Sequence, residues 1–437
     1  MVVSRERTPT AQETFLQMAQ AAGLRRRVLI TLGLLILARL GIYIPVPGID
    51  REAFANAIVN SPFIGFLDIF TGGGLVTVGI FALGILPYIN ASIIMQLLTS
   101  AIPALEELQK NEGEIGRRKI AQITRYVALG WAVIQGTGIA VGLLRPYALN
   151  YSIWFVIETV LAISAGSMFV MWISELITDR GIGNGASLLI FVNIVAVLPR
   201  TLANTIDYAQ TGGRQAVAQV IILMAVFLVM IVGIVFVQEG TRRIPIIIAR
   251  RQVGRRLYRE KTSYLPLRLN QGGVMPIIFA SAVLVLPSSL AGLTKETAIN
   301  NIINQIAFAL RPGTIWYVVV YSLLILFFSY FYASLISNPE DIADNLKKIG
   351  ASIPGIRPGK ATVAYLEGVL NRLTFLGAIF LTVVATVPTF VEKATGVTTF
   401  QGFGATSLLI LVGVAIDTAK QVQTYVISQR YEGMVKQ

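Results

Sequence analysis

The sequence predicts an all-α polytopic membrane protein: ten transmembrane helices in two inverted five-helix halves, with a cavity holding a short re-entrant segment. Three observations lead there. The 437 residues are 54% hydrophobic and 14% charged, with a mean hydropathy of +0.69, a composition that places most of the chain in lipid. Apolar runs long enough to span recur at roughly 24–43, 78–98, 120–142, 153–177, 185–199, 216–238, 272–291, 315–336, 369–388 and 402–424. Between the first two lies Phe63 to Phe70, an apolar piece followed by Gly72, Gly73 and Gly74. As a helix it covers about 12 Å, well short of a bilayer core of about 30 Å. It reads either as re-entrant or as an amphipathic surface helix before an ordinary span. The re-entrant reading implies a cavity, because non-helical backbone at membrane depth must be buried in protein or line water.

Residues 1–23 form a polar to amphipathic N-terminal segment, and Arg25, Arg26 and Arg27 precede the apolar run Val28 to Leu40. No small-residue cleavage site follows, so the run reads as a retained first span and not as a removed signal. With the N-terminus in the cytoplasm, most of the 36 basic residues fall on cytoplasmic segments, and both termini lie inside. The net charge of +13 is then largely a matter of topology. An outer loop at 200–215 separates a first half, 24–199, from a second, 216–424, with a tail at 425–437. Five spans on each side, starting on opposite faces, require any structural repeat to be inverted.

Two cytoplasmic loops stand out, at 239–270 and 337–368. The first carries Arg242, Arg243, Arg250, Arg251, Arg255, Arg256, Arg259, Lys261 and Arg268, and its runs RRIPIIIAR and SYLPLRLN pair as a hairpin. Surplus positive-inside charge is one reading; docking of an acidic partner or ribosomal RNA is the other. In the second loop, Asn338, Pro339, Glu340 and Asp341 mark a helix start. Ile342, Leu346 and Ile349 give it an apolar face. The turn PGIRPGK then presents Arg357 and Lys360 stiffly, as contact residues or as solvated charges.

Several chemistries are excluded. The chain has neither cysteine nor histidine, which removes disulfides, thiol nucleophiles, histidine acid–base catalysis and common zinc sites. Gly359-Lys360 fails the phosphate-loop pattern, and Gly181 to Ala186 lacks the strand a dinucleotide site needs. Glu158, Glu175, Asp417 and Arg125 lie toward span ends, leaving the middle of the helices aliphatic. A solute carrier coupled to ions keeps polar ligands near the midplane. The chain therefore reads as neither enzyme nor driven pump, and no cofactor is expected; the alternative kept open is a secondary transporter of small solutes.

Gly79 to Gln96, GIFALGILPYINASIIMQ, resembles the signature of the SecY protein-translocation channels. RLGIYIPVPGID after the first span, ITDRGIGNGASLLIF, GGVMPIIFASAVL, NPEDIADNLKKIGASIPGIRPGKAT and GATSLLI resemble further segments of that family, in its order. The resemblance implies a clamshell around an hourglass pore. Residues 63–74 become a plug (Phe63, Ile64, Phe66, Leu67, Ile69, Phe70 and the glycines Gly72, Gly73 and Gly74). A pore ring falls on Ile85, Ile89, Ile190, Ile194, Ile278 and Ile410, the last with Leu408 and Leu409 as near neighbours. A lateral gate opens between spans two and three on one side and seven and eight on the other. Implied partners are SecE, SecG, the SecA motor, the ribosome, signal sequences and unfolded clients, and membrane lipid. The motor and ribosome dock on the large loops, in a bacterial plasma membrane. An aliphatic ring suits such a channel, because it offers passing side chains no charge to bind and excludes water by dewetting.

Overall fold

The computed structural model describes residues 22–58, 68, 70–110, 113–248, 251–253, 256–258, 261–290, 305–306, 309–310, 314–397 and 405–435. It is helical almost throughout and divides into two compact units. The first comprises Met1–Leu202, Ser289–Asn301 and Val414–Gln437; the second comprises Ala203–Ser288 and Ile302–Gly413.

The first unit opens with α1 (Ala22–Leu40), a short 3-10 turn at Gly41–Tyr43, and α2 (Arg51–Ile58). Asp50 starts α2 by accepting from the Ala53 amide at 3.1 Å. Then come α3 (Leu86–Ala101), α4 (Pro103–Lys110), α5 (Gly113–Gly138), α6 (Ile153–Arg180) and α7 (Gly185–Thr211). Ser152 caps α6, its hydroxyl accepting from Phe155 N at 3.2 Å. A buried cluster that includes Phe54, Leu75, Leu83, Leu144, Phe155 and Ile163 ties α2, the chain before α3, and α6 together. The Phe54 ring meets Tyr147 edge-on at 5.3 Å.

Two expectations are corrected here. The second span was placed at 78–98, yet the helix begins at Leu86 and residues 71–85 are mostly turns. Val78 at φ 47 and Gly84 at φ 53 break the helical path, and Pro87 sits in the first turn of α3, where its missing N–H costs nothing. The loop expected at 200–215 is helical instead: α7 runs through Pro199 to Thr211, and α8 (Gly213–Glu239) follows Gly212. Pro199 removes one intrahelical donor without ending the helix.

In the second unit, β1 (Thr241–Ile248), β2 (Arg251–Val253), β3 (Arg256–Tyr258) and β4 (Lys261–Arg268) form the expected antiparallel arm, with Thr241 opposite Arg268 and Ile248 opposite Lys261. After it come α9 (Met275–Leu290), α10 (Ile315–Ile336), α11 (Pro339–Lys348), β5 (Ala351–Ser352), α12 (Lys360–Thr395) and α13 (Ala405–Val435), the last crossing into the first unit's residues. The Asn338 side chain caps α11 as expected, accepting from Glu340 N at 3.1 Å. Leu346 is buried and Ile342 partly so, but Ile349 is exposed: it lies past the last helical residue, off the apolar stripe, and Ala343 takes its place.

Six described helices, α5, α6, α7, α8, α10 and α12, fall in segments long and apolar enough to cross a membrane. The other four expected spans coincide with α1, α3, α9 and α13.

One close approach fixes the first unit. A Cβ added to Gly166 on α6 would overlap the Ile80 carbonyl. Next to it, Ser167 Oγ donates to the Gly84 carbonyl at 2.9 Å. Gly166→Ala is expected to destabilise the protein by about 1–3 kcal/mol, the usual cost of overpacking. Gly130→Ala, on α5 where a Cβ meets nothing within 4 Å, should be neutral or slightly stabilising. Thermal unfolding of both variants in detergent checks the pair; equal midpoints would refute the close-packing account.

Candidate functional site

The irregular stretch before α3 is held by side chains and backbone of several elements. Asp68, buried, folds it on itself: its carboxylate accepts from Leu75 N and Val76 N, each at 3.1 Å, and from Thr71 Oγ1 at 3.3 Å. Downstream, the chain leaving α1 serves as a partner strand. Val46 N donates to Val78 O at 3.0 Å, Ile80 N to Ile44 O at 2.9 Å, and Thr77 Oγ1 to Ile42 O at 3.2 Å. Pro45 and Gly79 form the bridge between the two.

Upstream, side chains of α1 and α7 reach the same stretch. Arg39 Nη1 donates to Gly72 O at 2.6 Å, and Asn193 Nδ2 donates to Phe70 O at 2.8 Å. Of the expected plug, Phe70, Gly72, Gly73 and Gly74 are described; Phe63, Ile64, Phe66, Leu67 and Ile69 lie outside the described residues.

The expected ring residues are all buried. Ile85 and Ile89 stand one turn apart at the start of α3, and Ile190 and Ile194 one turn apart on α7, so each pair shares a helix face. Asn193 occupies the same turn of α7 as the second pair. In the second unit Ile278 lies on α9 and Ile410 on α13, each within a buried run. Leu408 and Leu409 are as buried as Ile410, so burial alone does not single out one of the three.

The two large loops, separate in sequence, form one body. The sheet order is β4-β1-β5, with Ile247 opposite Ser352 and Ile248 opposite Ala351. Ile244, Ile246 and Leu267 from the arm bury against Ala343 and Leu346 of α11 and Leu366, Val369, Leu370 and Leu373 of α12. On this platform Arg242, Arg243, Arg357 and Lys360 are exposed. The Arg357 carbonyl accepts from Thr362 Oγ1 at 2.9 Å, which fastens the turn to α12. Arg251, Arg256 and Lys261 lie in β2, β3 and β4; Arg250, Arg255 and Arg259 fall outside the described residues.

Arg125 and Glu175, expected near span ends, pair at 2.9 Å and join α5 to α6, which gives them a structural partner in each other. Sequence reasoning missed the roles of Asp68, Arg39 and Asn193. Their signal was present as single polar residues inside apolar runs, which a span-level reading averages away.

Comparison with known proteins agrees with this architecture. The family model described as SecY matches residues 79–419. The protein translocase subunit SecY of Synechocystis sp. is 77% identical over 441 residues, covering 100% of both chains. Among solved structures, a SecY whose plug domain stabilises the closed state of the translocation channel aligns with a TM-score of 0.66 at 18% identity, over 91% of each chain. Sec61 in the canine ribosome–channel complex aligns with a TM-score of 0.62 at 16% identity, again over 91% of each. Those two likenesses speak to the fold; the near relative and the family match speak to descent, and by them the chain belongs to the SecY family of protein-translocase subunits.

Proposed function

We propose that this chain is the passive, protein-conducting subunit of a translocase: it passes unfolded polypeptides across the membrane and releases transmembrane segments sideways into lipid. The observation that carries the reading is the apolar, non-helical stretch before α3, framed by side chains of two helices beside buried isoleucine pairs. Such backbone is stable at membrane depth only inside a protein cavity, and a scaffold or a simple helical anchor has no use for one. Residues 63–74 act as the plug, and Ile85, Ile89, Ile190, Ile194, Ile278 and Ile410 as the collar. Isoleucine is stiff at χ1, so the collar is firm, and its aliphatic surface excludes water.

The two five-span halves flank the pore, and the lateral gate lies between spans two and three and spans seven and eight. The exposed arginines of the platform fit docking of SecA or the ribosome, which supply the driving force, and SecE and SecG complete the complex. The canine relative seen with a ribosome supports that assignment by analogy. The Lys and Arg distribution supports a multi-pass topology with both termini cytoplasmic, in a bacterial plasma membrane.

Changing Ile85, Ile89 and Ile278 together to Ser should give a persistently leaky channel, because hydroxyls hold water and remove the dewetting barrier. Single-channel conductance beside wild type, with thermal stability on the same preparations, checks this. A tight but strongly destabilised protein would make these isoleucines packed core, where each truncation costs about 2–5 kcal/mol.

Arg357 is exposed, and a guanidinium offers a planar fork to carboxylates. Arg357→Glu is expected to leave folding and insertion unchanged while reducing motor-driven secretion several-fold in reconstituted vesicles. Secretion at the wild-type rate would remove Arg357 from the docking surface.

A further inference from the structure

The stretch from Phe70 to Gly72 is held from outside by a closed circuit of two side chains. Arg39, half-buried at the end of α1, donates to the Gly72 carbonyl at 2.6 Å and to Asn193 Oδ1 at 3.4 Å. Asn193, buried on α7, donates its amide to the Phe70 carbonyl at 2.8 Å. One amide thus accepts from the arginine and donates to the segment, so the two grips are coupled. Gly72 sits at φ +67, and a Cβ there would overlap both the Arg39 guanidinium and the Asn193 amide. The contact leaves no room for any side chain at that position.

An arginine at the end of a spanning helix usually snorkels toward the interface. This one turns to the backbone of an irregular segment. Its bonds also differ in kind from the others around it. The Asp68 bonds to Thr71, Leu75 and Val76 fold residues 68–76 on themselves, the last two joining the plug to the chain just after it. The bonds of Thr77, Val78 and Ile80 to the chain after α1 anchor the downstream end. Between these, Arg39 and Asn193 hold the upstream end to α1 and α7.

We propose that Arg39 and Asn193 are positioning residues that latch the exit of the plug in the closed channel, and that opening releases the Phe70 and Gly72 carbonyls. The proposal rests on reading residues 63–74 as the plug. Its logic is that both partners are rigidly mounted on helices while the released groups are carbonyls on a segment that keeps its own internal fold. The latch breaks and re-forms without rebuilding either side. Asn193 shares its turn with Ile190 and Ile194, so a chain that parts the collar also displaces the latch.

The test uses the full translocase complex in vesicles, with resting ion conductance as the readout and thermal unfolding in parallel. Arg39→Gln and Asn193→Ala should each raise the frequency of resting openings on the order of tenfold, the factor expected for losing a hydrogen bond to a charged group. The double variant should leak less than the product of the singles, because one circuit is being cut twice. Arg39→Lys keeps the charge but not the fork, and should restore closure in part. A purely structural role would lower the unfolding midpoint and leave the resting conductance at the wild-type level. Deletion of residues 65–72 is the reference. If the deletion leaks and both single variants are tight, the latch is wrong and the plug stands. If all are tight, the plug reading falls and the latch with it.

Discussion

A polypeptide backbone at membrane depth has no water to satisfy its amides and carbonyls, and each one left bare costs several kcal/mol. Helices meet that constraint internally. The stretch from Thr71 to Ile85 does not, and much of the first unit is arranged to supply what it lacks. Asp68 meets two amides, the extended chain after α1 pairs with residues 77–80, Ser167 takes the Gly84 carbonyl, and Arg39 and Asn193 take two more. The glycine at 166 is a further consequence, since α6 must come close enough for its neighbour Ser167 to reach.

These partners come from segments far apart in the chain. Arg39 and Asn193 are 154 residues apart, and Gly84 and Ser167 are 83 apart. The irregular stretch therefore cannot take its shape until α1, α6 and α7 have assembled around it. The least regular part of the unit is thus specified by the regular parts around it.

The ten spans were legible because lipid imposes one strong requirement, about twenty apolar residues, which composition alone reveals. The hairpin and the α11 cap were legible for local reasons: a two-period apolar pattern between turns, and an asparagine followed by proline and acids. The break at Leu86 was not. Val78 to Leu98 is apolar throughout, and hydropathy does not distinguish helix from buried turns; the glycines at 79 and 84 and Pro87 were the available signal. Residues 200–211, RTLANTIDYAQT, fell outside the apolar run and so read as loop, although α7 continues through Pro199 to Thr211. Asn193 and Asp68 read as incidental polar residues, since what they bond to is set by tertiary structure.

The sheet β4-β1-β5 has a mechanical consequence. Two loops separated by a pair of membrane spans share backbone hydrogen bonds through Ile247 and Ile248, and both rest on α11 and the first turns of α12. A load applied to β1 therefore does not stop at that strand. It passes along β1 into β5, across the turn that bears Arg357, and into α12, a 36-residue helix. A pull on the arm and a pull on the turn thus act on one lever, with α12 at its end.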